Sequence, residues 1–179
     1  MKNTFRAGAG VLLSAALAFA GTKTDVGAAR IAGTAKDSSL SGTARFEEVK
    51  GGLKLTLALS GAPSGTHALH IHEFGDCSDS GNAAGGHYNP DGAPHGNALK
   101  DGKRAHPGDL GNVTITDGKL AFEAVLPRVS LNSGRRPVAG RTIVLHEKAD
   151  DFGQPVGNAG ARVACGVIAV VGKKNPERK

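Results

Sequence analysis

Every second residue from position 53 to 59 is leucine: Leu53, Leu55, Leu57 and Leu59 alternate with Lys54, Thr56 and Ala58. A period of two puts the leucines on one side of an extended segment and their partners on the other, which specifies a strand with one buried face. The run 43–49 precedes it across Lys50-Gly51-Gly52, a hairpin signal. A second hairpin is expected from 113–116 and 119–125 about Asp117-Gly118, with Leu120 and Phe122 pointing the same way. Residues 142–146 and 161–171 read as further strands, and no window past residue 20 has a convincing helical period. Glycine agrees: 27 of 179 residues, about twice the usual share, imply many turns between short strands. The chain therefore reads as all-β, a sandwich or barrel, broken by one long irregular stretch over 75–109. Long loops inside compact domains are usually functional.

The first twenty residues stand apart. Lys2 and Arg6 precede an uncharged apolar run, 7–20, that ends in Ala18-Phe19-Ala20, the pattern of an export signal cleaved after Ala20. The run is short for a bilayer-spanning helix, so no stable membrane insertion is expected after cleavage. The expected organisation is a signal peptide (1–20), an N-terminal segment (21–30), one domain (31–171) and a basic tail (172–179). Export to a periplasmic or extracellular space makes Cys77 and Cys165 an expected disulfide. Closing so long a loop contributes about 4–5 kcal/mol in the chain-entropy picture. The formal charge of +6 invites a nucleic-acid reading, but the basic residues are scattered and aromatics are few, so no nucleic-acid partner is expected.

Seven histidines occur, all from His67 to His146. On a strand, His70 and His72 project to one side while Leu69 and Ile71 project to the other, a natural two-imidazole clasp for a metal. His-x-His alone is weak evidence. It gains weight from His87, His95, His106 and Asp109 in the irregular stretch: three imidazoles and a carboxylate suit tetrahedral zinc. Gly85-Gly86, Asn89-Pro90 and Pro107-Gly108 let that loop turn its side chains inward. His146 follows on a later strand.

The runs His70-Ile-His-Glu-Phe-Gly-Asp-Cys77, Gly86-His-Tyr-Asn-Pro90, Pro107-Gly-Asp-Leu-Gly-Asn-Val113, His146-Glu-Lys-Ala-Asp-Asp151 and Gly157-Asn-Ala-Gly-Ala-Arg-Val-Ala-Cys-Gly-Val167 resemble copper/zinc superoxide dismutase across about 31–171. The resemblance implies a Greek-key, eight-stranded, immunoglobulin-like β-barrel with long metal-binding loops. It implies one copper per subunit on His70, His72, His87 and His146, and one zinc on His87, His95, His106 and Asp109, with His87 bridging. It assigns Asp150 to link a copper histidine (His70) with a zinc histidine (His95), and Arg162 to hold the substrate anion. His67 is expected to pack near the site without binding metal. The same resemblance pairs Cys77 with Cys165. The implied reaction converts two superoxide anions and two protons to dioxygen and hydrogen peroxide, with His87 and Arg162 as the catalytic side chains.

Between His146 and Arg162 the chain is shorter than the charged loop of eukaryotic-type members, and 152–157 offers no evident steering charges. Lys100, Lys103 and Arg104 are candidate substitutes. The export signal and Asp76-Cys77 look more like a bacterial envelope enzyme than a cytosolic one. The alternative reading is a copper-carrying relative without turnover, which would be expected to lack a copper ligand or the arginine. Some members are dimers and others monomers, and the sequence marks no homodimer interface.

Overall fold

A computed structural model describes residues 24–174. Its strands are β1 (Thr24–Gly33), β2 (Ser41–Val49), β3 (Gly52–Ser60), β4 (Gly65–His72), β5 (Asp109–Ile115), β6 (Lys119–Leu126), β7 (Thr142–His146), β8 (Arg162–Val167) and β9 (Ala169–Lys174). They form one antiparallel sheet in the order β5-β4-β7-β8-β1-β2-β3-β6, with β9 continuing β8 past Ile168 and pairing with β1. The connections from β3 to β4 and from β6 to β7 cross between non-neighbouring strands, which gives the Greek-key topology. The two end strands approach each other at the Asp117-Gly118 turn, so the sheet is a nearly closed eight-strand barrel.

The leucine alternation does what its period requires. Leu53, Leu55, Leu57 and Leu59 are all buried, and they meet Phe46, Ile71, Leu126 and Leu145 in the barrel interior. The β2–β3 turn runs through Gly51 (φ 99°) and Gly52 (φ 151°), backbone angles that side chains disfavour.

Two expectations change. The expected 113–125 hairpin is a turn and little more: only Thr116 and Lys119 pair across it, and β6 instead runs the length of β3, from Leu53↔Leu126 to Ser60↔Lys119. The local turn signal was real, but barrel closure decides which strands pair. The folded unit is also wider than 31–171. β1 starts at Thr24 inside the expected N-terminal segment, and β9 reaches Lys174 inside the expected tail, with Asp25 opposite Lys173. The proposed signal and the last five residues lie outside the described residues. Among the described residues, no helix is long and apolar enough to cross a membrane.

β4 is buried on both faces: Leu69 and Ile71 enter the core, while His70 and His72 are covered by residues of the 75–109 loop. That loop carries a 3₁₀ stretch (Asp79–Ala84) and one short helix, α1 (Ala98–Asp101), and it is joined to β8 by the Cys77–Cys165 disulfide.

Replacing Leu57 with alanine should destabilise the metal-free protein by about 2–5 kcal/mol in urea unfolding. Thr56→Ala, on the outer face of the same strand, should cost less than about 1 kcal/mol.

Candidate metal centre

Barrel and loop bring two overlapping sets together. His70, His72, His87 and His146 form one, and His87, His95, His106 and Asp109 the other; within each set the donor atoms lie within 4.8 Å of one another. His87 is common to both. His70 and His72 come from β4 and His146 from β7. His87 is held against β4 by a bridge to His72, and the neighbouring Tyr88 amide donates to the Ile71 carbonyl at 2.8 Å. Pairing irregularities fall beside His70 in the β4–β5 ladder and His146 in the β7–β8 ladder, where a bulge re-aims a side chain.

The hydrogen bonds decide which nitrogen of each ring faces inward. His72 Nδ1 donates to the Gly85 carbonyl (3.0 Å) and His146 Nδ1 to the Gly160 carbonyl (3.3 Å). Both Nε2 atoms must then carry lone pairs, yet they face each other at 3.2 Å. Neutral imidazoles so arranged repel unless a cation stands between them. His70 and His95 each use Nε2 on the Asp150 carboxylate, both at 2.9 Å. Their Nδ1 atoms are buried without a hydrogen-bond partner, although His95 Nδ1 lies 2.8 Å from an Asp109 oxygen. A lone pair that close to a carboxylate again calls for a cation. Asp109 also stands 2.8 Å from His87 Nδ1 and 3.1 Å from His106 Nδ1. The donor sets fit two metal ions, one rich in imidazole and one with imidazole plus carboxylate.

Burial pushes the pKa of His72 down to about 2 and that of His146 to about 3, so both rings stay neutral and able to bind metal. Burial lowers His70 as well, against its bond to Asp150. For Asp150, burial favours the neutral acid, but bonds from His70 and His95 outweigh it and lower the pKa to about 2. Asp109 follows the same pattern: burial opposes its charge, while His106, His87 and the Gly96 amide hold the carboxyl below its ordinary value.

Arg162 opens β8. Its guanidinium donates to the carbonyls of Gly81 (2.5 Å), Gly85 (2.6 Å) and Asn82 (3.3 Å), which fixes the fork beside the imidazole-rich set. A cavity of about 320 Å³ lies over that set, lined by His72, His87, His146 and Arg162, and Arg162 is the charged residue in its wall. Another of about 350 Å³ opens over His87, His95 and His106. Lys100, Lys103 and Arg104 line neither cavity. His67 belongs to neither metal set and donates Nδ1 to the His146 carbonyl at 2.9 Å.

Several site residues escape a sequence reading. Gln154 exchanges two hydrogen bonds with the His95 backbone, at 3.1 and 2.9 Å, and Phe152 stacks on the His95 ring. Asn112 exchanges two with the Asp150 backbone, at 2.7 and 2.9 Å. Gly157 (φ 72°) passes so close that a Cβ would stand 2.3 Å from Asp150 Oδ1 and 3.0 Å from His95 Nε2. Amide and glycine roles of this kind exist only through packing, so no pattern in the chain announces them.

The comparisons with known proteins agree with this geometry. A family model described as copper/zinc superoxide dismutase matches residues 40–168. Cu-Zn superoxide dismutase A of Xenopus laevis is 42% identical over 142 residues, covering 75% of this chain and 92% of that protein. The extracellular Cu-Zn superoxide dismutase of Caenorhabditis elegans is 39% identical over 141 residues, 75% of this chain, which spans 63% of that longer relative. A crystal structure of the clock protein EA4 superposes with a TM-score of 0.73 at 34% identity, covering 87% of this chain and all of that one. The chain belongs to the copper/zinc superoxide dismutase family. It is an oxidoreductase that disproportionates superoxide with copper and zinc as cofactors. The relatives named here are animal proteins, so the bacterial-envelope expectation draws no support from them.

The depressed histidine values give a pH signature. An unfolded chain takes up protons on His146 and His72 near pH 6.5, whereas the fold resists until about pH 3 for His146 and about pH 2 for His72. Their contribution to the metal-free protein is therefore fully present above pH 6.5 and is lost as pH falls toward 3 and below. Asp150, lowered from 3.8 to about 2, extends the loss in the same direction. Melting temperature of the metal-free protein should fall steadily below pH 6.5; a flat profile from pH 7 to 4 would contradict the buried neutral assignment.

Proposed function

We propose that His70, His72, His87 and His146 hold the copper, that His87, His95, His106 and Asp109 hold the zinc, and that Arg162 receives the superoxide anion. The observation that carries this reading is the convergence of lone pairs: the Nε2 atoms of His72 and His146, whose Nδ1 atoms are committed, face each other at 3.2 Å, and His95 Nδ1, whose Nε2 is committed to Asp150, faces Asp109 at 2.8 Å. Bound copper supplies one-electron exchange with superoxide, and bound zinc supplies fixed positive charge.

The chain supplies everything else. Asp109 faces His87 Nδ1 on the zinc side, leaving Nε2 as the atom that can take a proton in one half of the cycle and return it in the other. Solvent in the cavity delivers the second proton. Asp150 keeps His70 and His95 in the tautomers that point Nδ1 inward. Arg162, in the cavity wall, attracts the anion by charge and orients it by its planar fork.

The same reading takes the protein outside the cytosol, to a periplasmic or extracellular space. The N-terminal pattern of Lys2, Arg6 and the apolar 7–20 run supports this, as does the disulfide. It also includes a homodimer, supported by exposed Phe74 and Val167, which flank Gly75; a Cβ on Gly75 would stand 3.4 Å from Val167. A copper carrier without turnover is disfavoured by the intact set of imidazoles and the arginine beside it.

His87→Ala should lower occupancy of both metals in elemental analysis, whereas His106→Ala should mainly lower zinc. Wild-type stoichiometry of both metals in His87→Ala would refute the bridge. Arg162→Glu should retain both metals and lose about ten- to a thousandfold in rate by pulse radiolysis, with Arg162→Lys milder. The wild-type rate should fall only moderately with added salt. An unchanged rate in Arg162→Glu would reject the anion role, and a metal-replete wild type without superoxide turnover would favour the carrier.

A further inference from the structure

The loop that joins His87, His95 and His106 is held from outside by a separate cluster of charged side chains. Arg128 sits in the turn after β6. Its Nη1 donates to the carbonyls of Gly102 (2.7 Å) and Ala105 (3.3 Å), and its Nη2 donates to the Asp91 carboxylate. Arg136 grips the same carboxylate with Nε at 2.7 Å and Nη2 at 2.9 Å. Asp91 lies between His87 and His95. Gly102 and Ala105 lie between His95 and His106, and Ala105 is the residue before His106. One guanidinium thus touches both segments that connect the three imidazoles.

Two features mark this position as costly. Arg128 has φ 69°, in the left-handed region that a non-glycine residue seldom occupies, and its Nε is buried without a partner. Neither persists unless its surroundings enforce it. The reach is also specific to arginine: a lysine is a single point of charge and cannot serve two carbonyls and a carboxylate in one plane.

We propose that Arg128, fixed through Asp91 to Arg136, is a positioning residue that sets the 89–105 loop in its metal-ready form before zinc arrives. A loop already ordered loses less conformational freedom on binding, so affinity rises without any new contact to the ion. His70, His72 and His146 stand on β4 and β7, which the cluster does not touch. Three of the four copper-side residues are therefore out of its reach and only His87 lies on the clamped loop, so its influence should fall mainly on zinc and less on copper. The proposal rests on the zinc assignment of His87, His95, His106 and Asp109.

The test uses the metal-free protein with Arg128→Ala, Arg128→Lys, Asp91→Asn and His106→Ala variants. Zinc affinity is measured against a chromophoric chelator, the visible spectrum of cobalt(II) reports the geometry of the same site, and copper affinity is measured in parallel. Circular dichroism and urea unfolding report the fold. Arg128→Ala should weaken zinc about ten- to a hundredfold, the range for residues that support a ligand, with altered cobalt bands and a smaller loss of copper affinity through the shared His87. Arg128→Lys should recover part of the loss. Wild-type zinc affinity in a folded Arg128→Ala overturns the proposal, as does a parallel loss of zinc and copper that follows lost stability. If Arg128→Ala does not fold, Asp91→Asn decides on the same criteria. Zinc affinity unchanged in His106→Ala would remove the zinc assignment itself, and the proposal with it. Failure of Arg128→Ala alone, with His106→Ala losing zinc, removes only the clamp.

Discussion

Everything at this site depends on committing one nitrogen of an imidazole so that the other must accept. A neutral ring has one donor and one acceptor, and the outer partner chooses between them. Gly85 and Gly160 make that choice for His72 and His146, and Asp150 makes it for His70 and His95. Burial then keeps His70, His72 and His146 neutral, because charging them without water costs too much. The result is a set of lone pairs with nothing to accept from except a cation. The second strand face, the long loop and the buried carboxylates are what it takes to hold that frustrated arrangement in place.

The Gly85 carbonyl shows how far one such commitment reaches. It accepts from His72 Nδ1 and from Arg162 Nη2, so one atom of the loop fixes a ring of the imidazole-rich set and the guanidinium beside it together. The loop is in turn fastened to β8 by Cys77–Cys165, three residues past Arg162, and Cys165 packs with Ala84 and Val144. Arg162 is thereby held from its own strand and from the loop it reaches across. A disulfide here constrains the unfolded chain, and it also keeps both ends of that contact in the same place.

What the sequence made legible and what it hid divide along a physical line. The β3 alternation was legible because one face meets the core and the other meets water. β4 was harder, since loop residues cover its second face and the histidines there are buried rather than exposed. β1 was cut short because its first residues are small; Gly27 faces Leu131 so closely that a Cβ would lie 2.5 Å from it, and no large alternating side chain marks the segment. The β5–β6 pairing was misread because a turn is a local signal while barrel closure is not. The order of six histidines and Asp109 is plain in the chain, and the fold brings their donor atoms together. Gln154, Asn112, Gly157 and Arg128 were not legible, because an amide, a glycine or an arginine acquires such a role only from what the fold sets beside it.

The short 147–161 connection shows how a loop's size limits what its charges can do. Asp150 is occupied by His70, His95 and the Phe152 amide. Asp151 accepts from the Gly153 and Asn158 amides and from the Asn158 side chain, closing the loop on itself. Glu147 faces the Ala161 amide at 3.4 Å. Neutral amide donors leave each carboxylate its charge, which at the surface salt screens within about 8 Å at physiological ionic strength. Its acids are tied to the loop's own amides and to the imidazoles, and none of them lines the cavity over the imidazole-rich set. In the proposed reading, attraction of the anion falls to Arg162, the charged residue in the cavity wall, at short range. Its orientation falls to a fork that the Gly81 and Gly85 carbonyls have already fixed.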